Sequence, residues 1–342
     1  MEIETTKSDN GSTGSPQASQ KKGIIKAAVL CGGIGEERQI SLESGRCVRD
    51  ALIQGGVETI LTDVGPEKLG ILDDKTIDVF FIAMHGRFGE DGQLQEIMES
   101  KGLDFTGSPS AACRLAYDKM LSKKAFAKAG VKTPPSVEFS IAPAGNGTDK
   151  KEDAEDIKEL EVRLAALASK FVVKPFRQGS SFGVSIVDNA KEAAIIAIKT
   201  ARLFGDCMVE KYIQGRELTV GIVCGQVLPI IEIRPKEAFY NFQAKYVDEK
   251  TQFLFDTIED KRLEQKVKDS AAKCFETIGV RDIARADFIL GSDGELYALE
   301  VNAIPGLTGH SLVPMAAAKA GMTMSRLCTM MVEEAMKRGK AK

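Results

Sequence analysis

Four residues near the C-terminal end carry charge or an amide inside apolar runs. They are Arg285 and Asp287 in "ARADFILG", and Glu300 and Asn302 in "YALEVNAIPG". Each pair is separated by one residue, and in a strand that spacing puts both members on one face. The connecting Gly291-Ser292-Asp293-Gly294 is rich in turn formers. A four-residue loop there places Leu290 opposite Glu295, Asp287 opposite Ala298 and Arg285 opposite Glu300, so all four polar residues share a face. Two carboxylates and an amide oxygen suit a hard cation such as Mg2+, which takes few protein ligands and shares phosphate oxygens. A guanidinium beside them suits charge that develops in a transition state. A surface ion-pair face would show the same spacing. Against that, Phe288-Ile289-Leu290 and Leu296 to Val301 are mostly apolar, and charges buried among them need partners. Pro305-Gly306 then breaks the strand.

Other stretches suit phosphate. In "VVKPFRQGSSFG", Lys174 stands at a strand end before Gly179-Ser180-Ser181-Phe182-Gly183, a loop whose backbone N–H groups can cover a triphosphate. The order is not that of a Walker A loop, and an ordinary Gly-Ser hairpin would read the same way. Lys119, in "AYDKMLSKKAF", lies on an amphipathic helix where lysines are common. In "VEKYIQGRE", Glu210 and Glu217 bracket Lys211-Tyr212-Ile213, whose backbone can pair with an adenine edge while Glu217 reaches a ribose hydroxyl. Solvated glutamates are the alternative.

Towards the N-terminus, "LCGGIGEERQIS" places a glycine turn after a strand but lacks Gly-x-Gly-x-x-Gly. Glu36 and Glu37 directly after the glycines repel a pyrophosphate and suit an ammonium. The chain has only two histidines, His85 and His310, and both lie in glycine-flanked stretches.

The elements that must position these groups follow from apolar periodicity. Residues 24–31 form a buried strand, "SLESGRCVRDALIQGG" a helix and "DVFFIAMHG" a second buried strand. This alternation predicts a parallel α/β unit to about residue 114, with ligands beyond the carboxyl ends of its strands. A helix is expected over 115–130 and another over 154–168. Two hairpins follow, one turning at Cys224-Gly225 and one at 291–294, with helices over 257–279 and near the C-terminus. The segment 236–256 has little periodicity. Residues 1–22 lack an apolar segment and read as a disordered tail rather than a targeting signal.

At 342 residues, 43% apolar, the chain has room for two or three packed units. A net charge of −3 gives no argument for nucleic-acid or anionic-membrane binding, and no apolar run is long enough to span a bilayer. The seven cysteines are scattered, as expected of buried thiols in a reducing compartment.

Taken together, "GGIGEERQIS", "HGRFGEDGQLQ", "FTGSPSAACRLAYDKMLSK", "VVKPFRQGSSFGVS", "VEKYIQGRE", "FYNFQAKY", "RADF" and "LEVNAIPGLTGHSLVP" resemble the D-alanine–D-alanine ligases of the ATP-grasp superfamily, from about Ile25 to Val332. The resemblance implies a mixed α/β, three-domain ATP-grasp fold, with an N-terminal parallel α/β substrate domain over 23–114. A central ATP-grasp subdomain would cover 115–213 and a C-terminal catalytic domain 214–342. It implies ATP with two Mg2+ ions, Mn2+ being a possible substitute, D-alanine as substrate, a cytoplasmic location and a homodimer. By resemblance, Lys119, Lys174 and Ser181 contact the ATP phosphates, and Glu210 with the Lys211, Tyr212 and Ile213 backbone reads adenine. Glu217 binds the ribose, Phe239 flanks the base and Lys245 meets the γ-phosphate. Asp287, Glu300 and Asn302 are the metal ligands, and Arg285 and the Gly306 N–H stabilise the tetrahedral intermediate. Glu37 binds the first substrate's ammonium with His85 near its carboxylate. Ser311 and Leu312 meet the second substrate's carboxylate, and Ser180 and Tyr246 latch a lid over 236–256 onto Glu37. D-Alanine–D-lactate and D-alanine–D-serine ligases, and other ATP-grasp carboxylate–amine ligases, share much of this set; Tyr246 favours D-alanine. Two departures stand out. Gly35-Glu36 replaces a small pair, so that spacing to Arg38 and Ser41 selects Glu37. Phe176 replaces a small residue beside the glycine loop.

Overall fold

The computed structural model describes residues 23–140, 150–180, 182–235 and 251–339. The expected tail, most of the expected lid and the candidates Ser181, Phe239, Lys245 and Tyr246 lie outside the described residues.

The first sheet has the order β2-β1-β3 and is parallel throughout. Its strands are β1 (Lys26–Gly32), β2 (Glu58–Val64) and β3 (Val79–Ile82), and α1 (Arg38–Gln54) crosses between the first two. β1 and β3 are apolar without alternation because both faces of the sheet are covered. Helices α2 (Gln93–Ser100), α3 (Ser110–Tyr117) and α4 (Lys119–Lys128) follow. The single helix expected over 115–130 is therefore two. Asp118 interrupts it: extended in backbone, it accepts the N–H groups of Met120 and Leu121 as the N-cap of α4. That break places Lys119 at the first position of a new helix.

The second sheet, antiparallel, has the order β4-β7-β5-β6: β4 (Ser136–Phe139), β5 (Phe171–Pro175), β6 (Ser185–Val187) and β7 (Cys207–Lys211). Helices α5 (Lys150–Ala165) and α6 (Ala190–Phe204) belong to this unit, and α6 buries Ala193, Ala194, Ala197 and Ala201 in its core. Phe176 is buried against Met120 and Met208, so the large residue beside the glycine loop fills a core position rather than obstructing the loop.

The third sheet runs β11-β10-β8-β12-β13, with β9 (Gln226–Val227) beside β8. The main strands are β8 (Gly215–Val223), β10 (Ile231–Arg234), β11 (Gln252–Leu254), β12 (Ile283–Gly291) and β13 (Leu296–Asn302). The end of the segment with little periodicity is a strand, since β11 pairs with β10. Helix α7 (Lys261–Ile278) packs behind this sheet, and α8 (Leu312–Lys319) and α9 (Met324–Gly339) close the chain. One core cluster joins Val29, Val48 and Phe81 of the first sheet's surroundings to Val223, Val313 and Leu327, so the two ends of the chain share a core. No helix among the described residues is long and apolar enough to cross a membrane.

The β12–β13 register corrects the expected pairing. The turn is one residue longer, so Leu290 lies opposite Leu296 and Phe288 opposite Ala298. Continued unchanged, that ladder would set Asp287 against Leu299 and turn Glu300 towards the core. A bulge intervenes, and beyond it Asp287 pairs with Glu300 and Arg285 with Asn302. Two departures from the regular ladder cancel in parity. Leu296, Ala298 and Val301 enter the core with Phe288 and Leu290, while the polar residues keep the opposite face.

All seven cysteines are unpaired. Burial pushes the Cys113, Cys207, Cys274 and Cys328 thiols up to about 12, so they stay protonated and inert.

Candidate active site

The face carrying Arg285, Asp287, Glu300 and Asn302 forms the floor of two adjoining cavities, of about 700 Å3 and about 490 Å3. Lys119, Glu217, Asp287 and Glu300 line both. Arg285 grips Asp287 with two hydrogen bonds, Nε to Oδ1 at 2.9 Å and Nη2 to Oδ2 at 2.8 Å. Thr219, opposite Asp287 on β8, donates its hydroxyl to Oδ1 at 2.6 Å. Lys119 Nζ lies 2.9 Å from Glu300 Oε2 and donates to the Gln178 carbonyl at 2.7 Å. Burial opposes the charge of Lys119, but Glu300, and beyond it Glu37 and Glu90, outweigh it and raise its pKa. The Asn302 side-chain oxygen accepts the Ile304 N–H at 2.9 Å, which fixes the strand end.

The larger cavity is walled by segments far apart in sequence. Glu37, Ser41 and Ser44 follow one another on one side of α1 at helical spacing. The Ser180 hydroxyl donates to the Glu37 carboxylate, with Ser180 itself in the left-handed region at φ 50°. Gly86 passes so close that a Cβ would stand 2.6 Å from Glu37 Oε2, and its φ of 71° also favours glycine. Glu36, by contrast, is exposed.

Ser41 accepts the His85 backbone N–H at 2.9 Å, and Ser44 Oγ lies 2.9 Å from His85 Nε2. The other ring nitrogen meets the Ile304 carbonyl at 3.0 Å and Glu90 Oε1 at 3.4 Å. Burial disfavours an imidazolium here, yet the Glu90 hydrogen bond and the charges of Glu90 and Glu37 overcome it and raise the His85 pKa. Burial also raises the Glu90 carboxyl, against the pull of His85. Ser44 further accepts the Leu307 N–H at 3.2 Å, joining α1 to the loop after β13.

In that loop, a Cβ on Gly306 would stand 2.7 Å from Ser311 Oγ and would push that hydroxyl aside. Ser311 heads α8 without capping it; its hydroxyl bonds Thr308 instead. Ser311 and Leu312, at the N-terminus of α8, line the cavity, and because Pro314 has no N–H the uncapped donors of this first turn are those of Leu312 and Val313, a helix end suited to a carboxylate.

The smaller cavity is an apolar slot between Val172, Val184, Ile186, Ile213, Ile289 and Leu299. Glu210, 2% exposed, ends in two ammonium groups: Lys123 on Oε1 and Lys174 on Oε2 at 2.6 Å. Burial raises its pKa, but the two lysines more than reverse that and leave it lowered. The Lys211 N–H bonds the Pro135 carbonyl and the Tyr212 N–H the Lys170 carbonyl, so neither is available to a base. Pro135 has no N–H to return to Lys211.

The structure therefore brings together Glu37, His85, Ser180, Arg285, Gly306, Ser311 and Leu312 around one cavity. It sets Lys174, Glu210, Lys211, Tyr212 and Ile213 around the other, with Lys119, Glu217, Asp287, Glu300 and Asn302 in the floor region. Sequence reasoning missed Thr219, Lys123, Glu90, Ser41 and Ser44 as functional partners. Some signal was present: Thr219 is two residues from Glu217 on a strand, and Lys123 one helical turn from Lys119. Among the described residues no three His, Cys, Asp or Glu side chains cluster as a metal site. Two carboxylates and one amide oxygen are nevertheless the oxygen-only donor set a hard cation accepts when it also takes substrate oxygens.

An apolar base slot, buried lysines and a carboxylate floor shared with a polar cavity define a nucleotide-dependent ligase of the ATP-grasp fold. A family model, "D-ala D-ala ligase C-terminus", matches residues 130–333. A D-alanine–D-alanine ligase of Methylacidiphilum infernorum (isolate V4) is 37% identical over 314 residues, 92% of this chain and 96% of the relative. The crystal structure of a D-alanine–D-alanine ligase from Bacillus anthracis superposes with a TM-score of 0.77 at 31% identity, covering 93% of this chain and 99% of that one. A D-alanine–D-alanine ligase from Bacillus anthracis complexed with ATP superposes with a TM-score of 0.75 at 28% identity over the same shares. The chain belongs to the D-alanine–D-alanine ligase family.

Proposed function

We propose that the chain joins two D-alanines into D-alanyl-D-alanine, converting ATP to ADP and phosphate, for peptidoglycan precursor synthesis. The observation that carries this is the shared floor. Asp287 and Glu300 line both cavities, so a nucleotide γ-phosphate from one side and an amino-acid carboxylate from the other would meet above them. A carboxylate is a poor acyl donor. Attack of its oxygen on the γ-phosphorus breaks the bond to ADP and yields an acylphosphate. The amine of the second D-alanine then attacks the acyl carbon, the C–O bond to phosphate breaks and the amine loses a proton.

Lys119 and Lys174 hold the phosphates through these steps, and Glu217 holds the ribose. Glu37 receives the first ammonium, with His85 beside that substrate's carboxylate. The N-terminus of α8, at Ser311 and Leu312, receives the carboxylate of the second. Arg285 and the Gly306 N–H meet the oxyanion. Mg2+ held by Asp287, Glu300 and Asn302, as two ions or replaced by Mn2+, would neutralise phosphate charge. Family resemblance adds Ser181 and Lys245 on the phosphates, Phe239 against the base and Tyr246 as a latch to Glu37. It also supports three units over 23–114, 115–213 and 214–342, a homodimer and a cytoplasmic location.

With ATP, Mg2+ and D-alanine, the purified chain should release ADP and phosphate in step with dipeptide. Faster turnover with D-lactate or D-serine as second substrate would reassign its specificity. Absence of ADP release with any D- or L-amino acid would sink the ligase assignment.

A further inference from the structure

The cluster behind the nucleotide slot contains one more cation than phosphate binding was expected to require. Lys123 on α4, Lys174 on β5 and Glu210 on β7 come from three segments and meet almost wholly out of water, at 5%, 7% and 2% exposure. Each carboxylate oxygen of Glu210 takes one ammonium. Lys123 also donates to the Pro134 carbonyl at 2.6 Å, so its head is held from two directions. Lys174 and Glu210 line the slot; Lys123 stands behind them, outside the lining residues.

Without Lys123, Glu210 and Lys174 would form a neutral pair, and a buried neutral pair offers little to an incoming phosphate. With Lys123 engaging Oε1, the three groups together keep one positive charge. Lys174 is the member placed to show that charge to the slot. Resting on the nucleotide assignment above, we propose that Lys123 is a positioning residue for Lys174: it balances Glu210 from behind, so that the Lys174 ammonium faces the phosphates with its charge uncancelled. Burial and the neighbouring Lys174 lower the Lys123 pKa while Glu210 opposes them, as expected for two like charges sharing one carboxylate.

The test compares ADP with adenosine, which differ in the phosphates alone, by calorimetry on the full chain. Lys123→Met should weaken ADP about tenfold or more and adenosine less than about twofold. The double variant Lys123→Met with Glu210→Gln restores one net positive charge. It should return the ratio of ADP to adenosine affinity to within about threefold of the parent. Equal weakening of both ligands by Lys123→Met, or no recovery of the ratio in the double variant, overturns the proposal and marks Lys123 as packing only. Should Lys123→Met fail to fold, Lys123→Gln, which keeps a donor for the Pro134 carbonyl but removes the charge, is measured in its place with the same two outcomes. A parent chain that binds neither ligand would instead remove the nucleotide assignment beneath the proposal.

Discussion

The two cavities share a floor but are walled by different physics. The nucleotide slot sets full charges among apolar walls, and behind its lining Lys123 completes a buried charge cluster with Glu210 and Lys174, drawn from one sheet and one adjacent helix. Behind the larger cavity, directed hydrogen bonds join Ser41 and Ser44 to His85 and Leu307, and on its wall Ser180 donates to Glu37, so its partners come from distant parts of the chain. A base asks for a flat slot, and phosphates ask for net charge, which acts without strict direction. An amino acid presents an ammonium, a carboxylate and a reacting carbon within a few ångströms, and only oriented donors and acceptors tell these apart.

This contrast can be broken most sharply at the floor. Arg285→Ala should lower turnover about 100- to 1,000-fold, the usual cost of removing an oxyanion donor. ATP binding should change far less, because Arg285 lines the larger cavity alone. Steady-state ADP release together with ATP titration would separate the two, and unchanged turnover would remove Arg285 from the chemistry.

At the rim of the slot, Glu232 is held by Arg216 and Arg234, which bring its pKa down to about 2 despite burial. Its folded pKa lies below the ordinary value of 4.5, so the stability it contributes is full above about pH 4.5 and is lost as pH falls towards 2. Allowing for the half-exposed Arg234, the contribution is on the order of 2 kcal/mol. Denaturant melts at pH 6 and pH 3 should show a smaller acid-induced loss in Glu232→Gln than in the parent. An identical loss would mean that the charged wall is not acid-sensitive there.

The smallest effect is expected on the hydrogen-bonded side. Ser44→Ala removes partners from His85 and the Leu307 N–H at a cost of about 1–2 kcal/mol. It should raise the KM for D-alanine roughly tenfold and leave the KM for ATP unchanged. Equal changes in both would show that the two walls are not independent.

Much of the floor was legible because period-two spacing survives small errors. Arg285 with Asp287, and Glu300 with Asn302, each share a face in any regular strand. Whether the two pairs face the same way was not legible. The turn carries one residue more than expected and the ladder a bulge, and neither has a distinctive signature in Gly291 to Leu299. The break at Asp118 was visible in principle, since aspartate followed by a helical run is a capping pattern. Ser41 and Ser44 were beyond reach, because their partners His85 and Leu307 are distant along the chain.

The sequence by itself determined which chemistry was possible. It supplied the oxygen donors, the lysines, the glycine loop and the paired glutamates at fixed local spacings, because short-range geometry depends on neighbours alone. Tertiary structure decided which of those groups act together. Ser180 reaches across the chain to Glu37, Lys123 rather than solvent balances Glu210, and a bulge returns Glu300 to Asp287. Each of these depends on contacts between residues far apart in the chain, and local pattern carries no record of them.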